Sequence, residues 1–202
     1  MAVSRRPRGF APAAGFTMIE LMVAIVVAAI IIVFAVPSFE TTINSGRLSG
    51  ASNEMLAGFQ AARMEAIRSN RRTLLCLSAT PDAATPACLA AGATTATGWI
   101  VYADANKDAA PTAGEVVRVG TVNPKVRIKA STNFGKQIMF HADGIAYKAD
   151  GTTPLQGALA FCIPTKRPPQ NIRYVNFSVS RASVSRGNTN AVCTGTVSDN
   201  NP

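Results

Sequence analysis

The sequence predicts an α+β protein: a long N-terminal helix, membrane-spanning in its first half, packed on an antiparallel β-sheet domain. Three observations carry that prediction. From Leu21 to Val36 no charged or polar residue occurs. Beyond it, Leu48, Ala51, Met55, Phe59, Ala62, Ala66 and Ile67 recur at spacings of three and four, the stripe of an amphipathic helix. From Arg72 onward, short β-branched and aromatic runs are separated by turn residues. Helix first and many strands after, without alternation, is the order of an α+β domain.

The apolar run comes first. A helix from Phe16 to Val36 is roughly 30 Å long, the thickness of a bilayer core. Arg5, Arg6 and Arg8 precede it without any acidic residue, and positive flanks stay on the cytoplasmic side while the remainder is exported. A secretory signal peptide fits poorly, because the run is too long and Val36-Pro37-Ser38-Phe39 is a poor cleavage site. A plain anchor leaves Glu20 unexplained. A carboxylate one turn into a membrane helix is costly and calls for a partner cation.

Gly15-Phe16-Thr17-Met18-Ile19-Glu20, followed by an apolar helix, resembles the class III signal of type IV pilins and type II secretion pseudopilins. The resemblance implies that a prepilin peptidase cuts after Gly15 and methylates the new N-terminus at Phe16. It makes Glu20 the fifth mature residue, the family's assembly glutamate, and matches Pro37 to the proline that kinks the family's long helix. In a filament of packed apolar helices, Glu20 would pair with the Phe16 ammonium of a neighbouring subunit. Breaking such a buried pair costs about 3–5 kcal/mol, enough to enforce register.

The expected organisation is therefore a leader over residues 1–15, a transmembrane and filament-core helix over 16–36, an amphipathic continuation over 37–70, and a β-rich periplasmic domain over 71–202. Arg47, Glu54, Arg63 and Arg68 fall off the apolar stripe and are expected in solvent. Gly46, Gly50 and Gly58 weaken helix propensity near its start. The helix should end near Ser69-Asn70. Strands are expected at Thr73–Ser78, Trp99–Ala103, Val116–Gly120, Val126–Ala130, Gln137–Phe140, Ile145–Lys148, Ala158–Ile163 and Ile172–Ser180, with a short last one at Ala191–Cys193. Pro164–Gln170 reads as a connection and Thr194–Pro202 as a polar tail.

Cys76, Cys88, Cys162 and Cys193 form no C-x-x-C, and a single histidine cannot complete a Cys/His zinc site. An oxidising periplasm makes two disulfides the default. Three pairings are open. Cys76–Cys88 with Cys162–Cys193 is preferred, the first closing an Ala/Thr/Pro-rich loop and the second tying the C-terminal segment to a strand. Each should contribute roughly 3 kcal/mol in the chain-entropy picture.

Asp104, Asn106, Asp108 and Glu115 occupy positions one, three, five and twelve of a calcium loop. Ala109 stands where the sharp turn wants glycine, Lys107 adds a repelling charge and Pro111 interrupts, so a β-turn between strands fits better. No metal or other cofactor is expected. Gly98-Trp99-Ile100-Val101-Tyr102-Ala103-Asp104-Ala105-Asn106-Lys107-Asp108 resembles the G-W-x-V-F-x-D-x-N-x-D stretch of the FimT/GspH (FimU-like) pseudopilin group. Ile138-Met139-Phe140-His141-Ala142-Asp143-Gly144 resembles a second stretch of that group. His141 is the only histidine and no G-x-S-x-G accompanies it, so no catalytic residue and no enzyme is expected.

From Gly151 onward, Lys166, Arg167, Arg173, Arg181 and Arg186 face Asp199 alone. Such cations can neutralise nucleic-acid phosphates with salt-dependent affinity. FimT-type proteins associate a C-terminal G-R-x-R with DNA capture; the nearest match is Ser180-Arg181-Ala182-Ser183 with Ser185-Arg186-Gly187, which lacks the glycine and the second arginine in place. A solvated basic edge strand is the alternative.

Together the resemblances imply a minor pilin or pseudopilin in the inner membrane, single-pass with a periplasmic C-terminal domain, and then in the pilus or pseudopilus. It would serve type IV pilus assembly or its tip-initiation complex. The alternatives are a type II secretion minor pseudopilin and a DNA-binding competence subunit. The partners implied are other minor and major pilins or pseudopilins, the peptidase, the membrane and double-stranded DNA.

Overall fold

The computed structural model describes residues 15–90, 95–187, 193 and 196–199. One helix, α1 (Met18–Ser69), precedes nine strands: β1 (Thr73–Ser78), β2 (Gly98–Ala103), β3 (Val116–Thr121), β4 (Arg127–Ala130), β5 (Gln137–Phe140), β6 (Ala146–Lys148), β7 (Gln156–Cys162), β8 (Ile172–Ser178) and β9 (Arg181–Gly187). Pro37 lies inside α1. Asn70, at φ 51°, stops the helix in the left-handed conformation that commonly follows a last helical turn.

By its contacts the chain divides into two compact units, Met1–Phe39 and Glu40–Pro202. The first is helical from Met18, and Phe16, Met18, Ile19, Leu21, Ile25 and Ile31 all expose their side chains. A helix apolar on every side has nothing of its own to bury against, so lipid or other apolar helices must cover it.

The second unit holds two antiparallel sheets rather than the single sheet expected. Strand order is β3-β2-β1-β5-β6 in one and β4-β7-β8-β9 in the other. One core, including Leu48, Met55, Phe59, Ala62 and Ala66 of α1, joins the facing sides of both sheets. Phe59 is the link: its ring meets Phe140 of β5 edge-on at 4.8 Å and Phe177 of β8 at 5.1 Å. Ile67, expected in the stripe, is instead exposed.

Each sheet also has a far side with its own small core, and each of those carries a disulfide. Leu74, Cys76, Ile100, Tyr102 and Met139 form one, and Cys76 is bonded to Cys88. Ala158, Ala160, Cys162, Ile172, Tyr174, Cys193 and Val197 form the other, and Cys162 is bonded to Cys193. Among the described residues no helix covers these faces, and a segment stapled across each takes that role. Burial drives the Tyr102 phenol pKa up, with Asp104 adding to it, and its hydroxyl donates to the Ala109 carbonyl at 2.8 Å.

Off-stripe charges are less free than the sequence implies. Arg63 donates to the Ser180 carbonyl at 3.0 Å, bracing the β8–β9 turn, and Arg118 of β3 meets Glu54 of α1 at 2.9 Å. That turn is Val179-Ser180, and Val179 sits at φ 52°, where a β-branched residue is unusual. The expected strand Ile172–Ser180 therefore ends at Ser178, and β9 follows as an edge strand, the alternative weighed for the Arg181 and Arg186 stretch. Of the strand expected at Ala191–Cys193, the first two residues lie outside the described residues and Cys193 is in a turn.

Asp150 between β6 and β7 accepts the Thr152 and Thr153 amides at 2.8 Å each. Those bonds, Thr153 first, hold its carboxyl down to about 2. Folded below its unfolded value of about 3.9, it adds stability that is complete above that value and disappears as pH falls toward 2. Urea midpoints at pH 5, 3 and 2 should therefore fall less steeply with acid in Asp150→Asn than in the parent.

Candidate functional site

The start of α1 is built by local chemistry. Thr17 is the residue just before the helix; its hydroxyl accepts the Glu20 amide at 3.2 Å and its carbonyl accepts the Leu21 amide at 3.1 Å. Thr-x-x-Glu is the capping-box spacing, and an acid in the first turn suits the positive end of a helix. Glu20 is exposed and, among the described residues, its carboxylate has no hydrogen-bond or ion-pair partner within the chain. Phe16 is 83% exposed, and a Cβ built on Gly15 meets nothing within 4 Å. Among the described residues, glycine at 15 answers no packing need.

The C-terminal cations do not all converge on one surface. Arg173 is 4% exposed, and its guanidinium donates to the Gln170 carbonyl at 3.0 Å, the Ile172 carbonyl at 2.9 Å and the Ser45 hydroxyl at 3.2 Å. This corrects its reading as a phosphate-contacting residue: it spends its donors inside the fold. Burial lowers its pKa, with Arg186 contributing. Arg186 is its cross-strand partner and Arg181 pairs with Ser178, which places the two β9 arginines on opposite faces of the strand. Arg181, Arg186, Lys166 and Arg167 are exposed.

A grouping that the sequence does not reveal appears beside α1. The Asn44 side chain donates to the Arg167 carbonyl at 3.0 Å, and Arg47 donates to Asn44 at 3.3 Å. With the Arg173–Ser45 bond, the side chains of Arg47 and Arg173 and the Arg167 backbone meet residues 44–47, and Arg186 lies across the strand pair from Arg173. Separations of 123 and 128 positions leave no local signal for this.

The loop between β2 and β3 uses its acids on itself. Asp104, buried, accepts the Ala109 amide and pairs with Arg72 at 2.5 Å. Asp108 accepts the Ala110 amide, and Glu115 accepts the Ala105 amide and the Thr112 hydroxyl. The Thr112 hydroxyl, then the Ala105 amide, lower the Glu115 pKa. Among the described residues no three His, Cys, Asp or Glu side chains are grouped to hold a metal. Arg72→Ala, which strands a buried carboxylate, should cost about 3 kcal/mol, seen as a lower urea midpoint with an unchanged slope.

The family described as "Type II transport protein GspH" matches residues 51–183, most of the β domain and the last part of α1. The chain belongs to the GspH family. A second match, "Prokaryotic N-terminal methylation motif", covers residues 11–36 of this GspH-family chain and includes Gly15, Phe16 and Glu20. With both matches the chain is a type IV pilin-like minor pilin or pseudopilin. Comparison with curated proteins gives no match. Two crystal forms of the type IV minor pilin FimU from Pseudomonas aeruginosa are similar to it in structure. One is 18% identical with a TM-score of 0.47, over 68% of this chain and 92% of that one. The other is 17% identical with a TM-score of 0.49, over 70% and 90%.

Proposed function

We propose that this chain is a non-enzymatic minor pilin, a structural subunit of type IV pilus assembly or of its tip-initiation complex. The observation that carries the reading is the Gly15–Glu20 segment. It joins an open glycine, an exposed Phe16 and a Glu20 carboxylate with no partner among the described residues to an apolar helix with nothing of its own to bury against. In this reading prepilin peptidase cuts after Gly15 and methylates Phe16. The chain waits in the inner membrane with its disulfide-bonded domain in the periplasm, then joins neighbouring pilins through the helix. Co-expression with a prepilin peptidase should yield a chain beginning at methylated Phe16 by mass spectrometry. Gly15→Leu should stay uncut, and an uncut parent sinks the proposal.

The family's description favours a second reading, a type II secretion minor pseudopilin with the same processing. Cross-linking in cells that carry both machines separates them by the subunits captured. A further role in DNA uptake would rest on the exposed Lys166, Arg167, Arg181 and Arg186. Titration with duplex DNA at low and moderate salt, beside Arg181→Ala/Arg186→Ala, measures it.

A further inference from the structure

The cations about residues 44–47 have no place in the processing or packing of the apolar helix. Lys166, Arg167 and Arg186 are exposed and Arg47 half-buried, and among the described residues no ion pair takes any of them up. The backbone that carries them is held in place, with Lys166 next in the chain to Arg167. Asn44 holds the Arg167 backbone, Arg47 reaches Asn44, and Arg186 lies opposite Arg173, whose guanidinium is tied to Ser45. Glu40 is the one acid in the neighbouring stretch of α1 from Phe39 to Ser52.

Covalent reach then restricts what these charges meet. Ser45 is nine residues past Val36, the end of the apolar run. Along a helix that is roughly 14 Å, and a fully stretched chain allows no more than about 31 Å. A bilayer holding the apolar run therefore keeps this cluster within reach of its headgroup layer. DNA in solution has no such tether to these residues.

We propose that Arg47, Lys166, Arg167 and Arg186 form a collar that binds acidic phospholipid headgroups of the bilayer in which the apolar helix sits. The proposal rests on the membrane-anchored reading above. Asn44, Ser45 and Arg173 position the collar without touching lipid. The contact holds the domain down on the membrane before assembly and is lost when the subunit leaves the bilayer. Each cation near an acidic surface strengthens the contact about fivefold, and salt weakens it.

The test uses the full chain reconstituted into vesicles of phosphatidylcholine, alone or mixed with phosphatidylglycerol. Flotation after an alkaline wash comes first: a chain that fails to float overturns the membrane reading itself, and this proposal with it. For a chain that floats, hydrogen exchange is followed over residues 163–173 and 181–187. The expected result is at least tenfold slower exchange there with phosphatidylglycerol, reversed by high salt. Lys166→Gln/Arg167→Gln should lose most of the effect and adding Arg186→Gln the rest, while Arg127→Gln/Lys129→Gln on β4 keeps it. Unchanged exchange in β1 and β7 shows that each variant is folded. Equal exchange in the two lipids overturns the proposal, as does protection by duplex DNA on phosphatidylcholine vesicles with none from phosphatidylglycerol.

Discussion

Phe59→Ala should lower the stability of the Glu40–Pro202 unit by about 3–5 kcal/mol, the usual cost of removing a buried aromatic ring. In a unit of this size that is a fall of roughly 10 °C in Tm. The expectation follows from geometry. Phe59 is fully buried, meets Phe140 of one sheet and Phe177 of the other, and Phe177 in turn meets Phe134 at 5.1 Å. Among the described residues the two sheets share no strand pair, only the Ala146 amide on the Val179 carbonyl at the β8–β9 turn, so this ring and its neighbours carry most of their joint attachment to α1. Truncation leaves a void that neither sheet can close without giving up its own hydrogen-bond register. Phe59→Leu, which keeps most of the volume, should cost much less. Calorimetry in detergent distinguishes the two, and equal Tm values for Phe59→Ala and the parent would show that the sheets are held together by something else.

The residue before it has the opposite sensitivity. A Cβ built on Gly58 lies 2.5 Å from the Trp99 ring, and the same ring also lies against Gly120. Trp99 is fully buried, and the Arg118 guanidinium lies over it at 5.9 Å. Gly58→Ala would gain helix propensity but drive a methyl into an indole that cannot retreat. The net change should therefore be destabilising by at least 1 kcal/mol, read from the same scans.

That pair shows where the sequence is informative. Gly58 reads as a flaw in a helix, because propensity is local; its reason is a tryptophan forty-one residues away. The buried strands were legible because Leu74–Leu77, Trp99–Tyr102 and Leu159–Phe161 carry the residues that a doubly covered strand needs. β9 was legible only as a basic edge strand without bounds, because in Arg181-Ala182-Ser183-Val184-Ser185-Arg186-Gly187 Ala182 alone packs against the core. The division into two sheets was hidden, since strand runs say nothing about which edges remain unpaired. Val179 misled in the other direction: a β-branched residue reads as strand, yet it forms the turn under the hold of the Leu155 carbonyl on its amide. At the site, Gly15, Phe16 and Glu20 are contiguous and could be read directly. The cations about residues 44–47 come together only in the folded chain, and Arg173 changes from a surface charge into a structural one there.

Glu20→Ala should leave cutting after Gly15 intact and remove the subunit from filaments. The two steps ask different things of the segment. Cleavage needs an accessible peptide bond at Gly15-Phe16, and both residues are open. In the proposed role, assembly puts the apolar helix among others like it, where a carboxylate without a partner is expensive and one paired with a neighbouring Phe16 ammonium is not. Losing the pair strands that ammonium instead. At about 3–5 kcal/mol, incorporation relative to the parent should drop by roughly two to three and a half orders of magnitude. Glu20→Gln separates charge from capping, because the Thr17–Glu20 bond runs to the Glu20 amide and survives in either variant. A pairing role predicts that Gln fails nearly as badly as Ala; a role confined to capping the helix predicts that both assemble. Quantifying the mature chain in sheared filaments and in membranes, with processing followed in the same cells, decides between them.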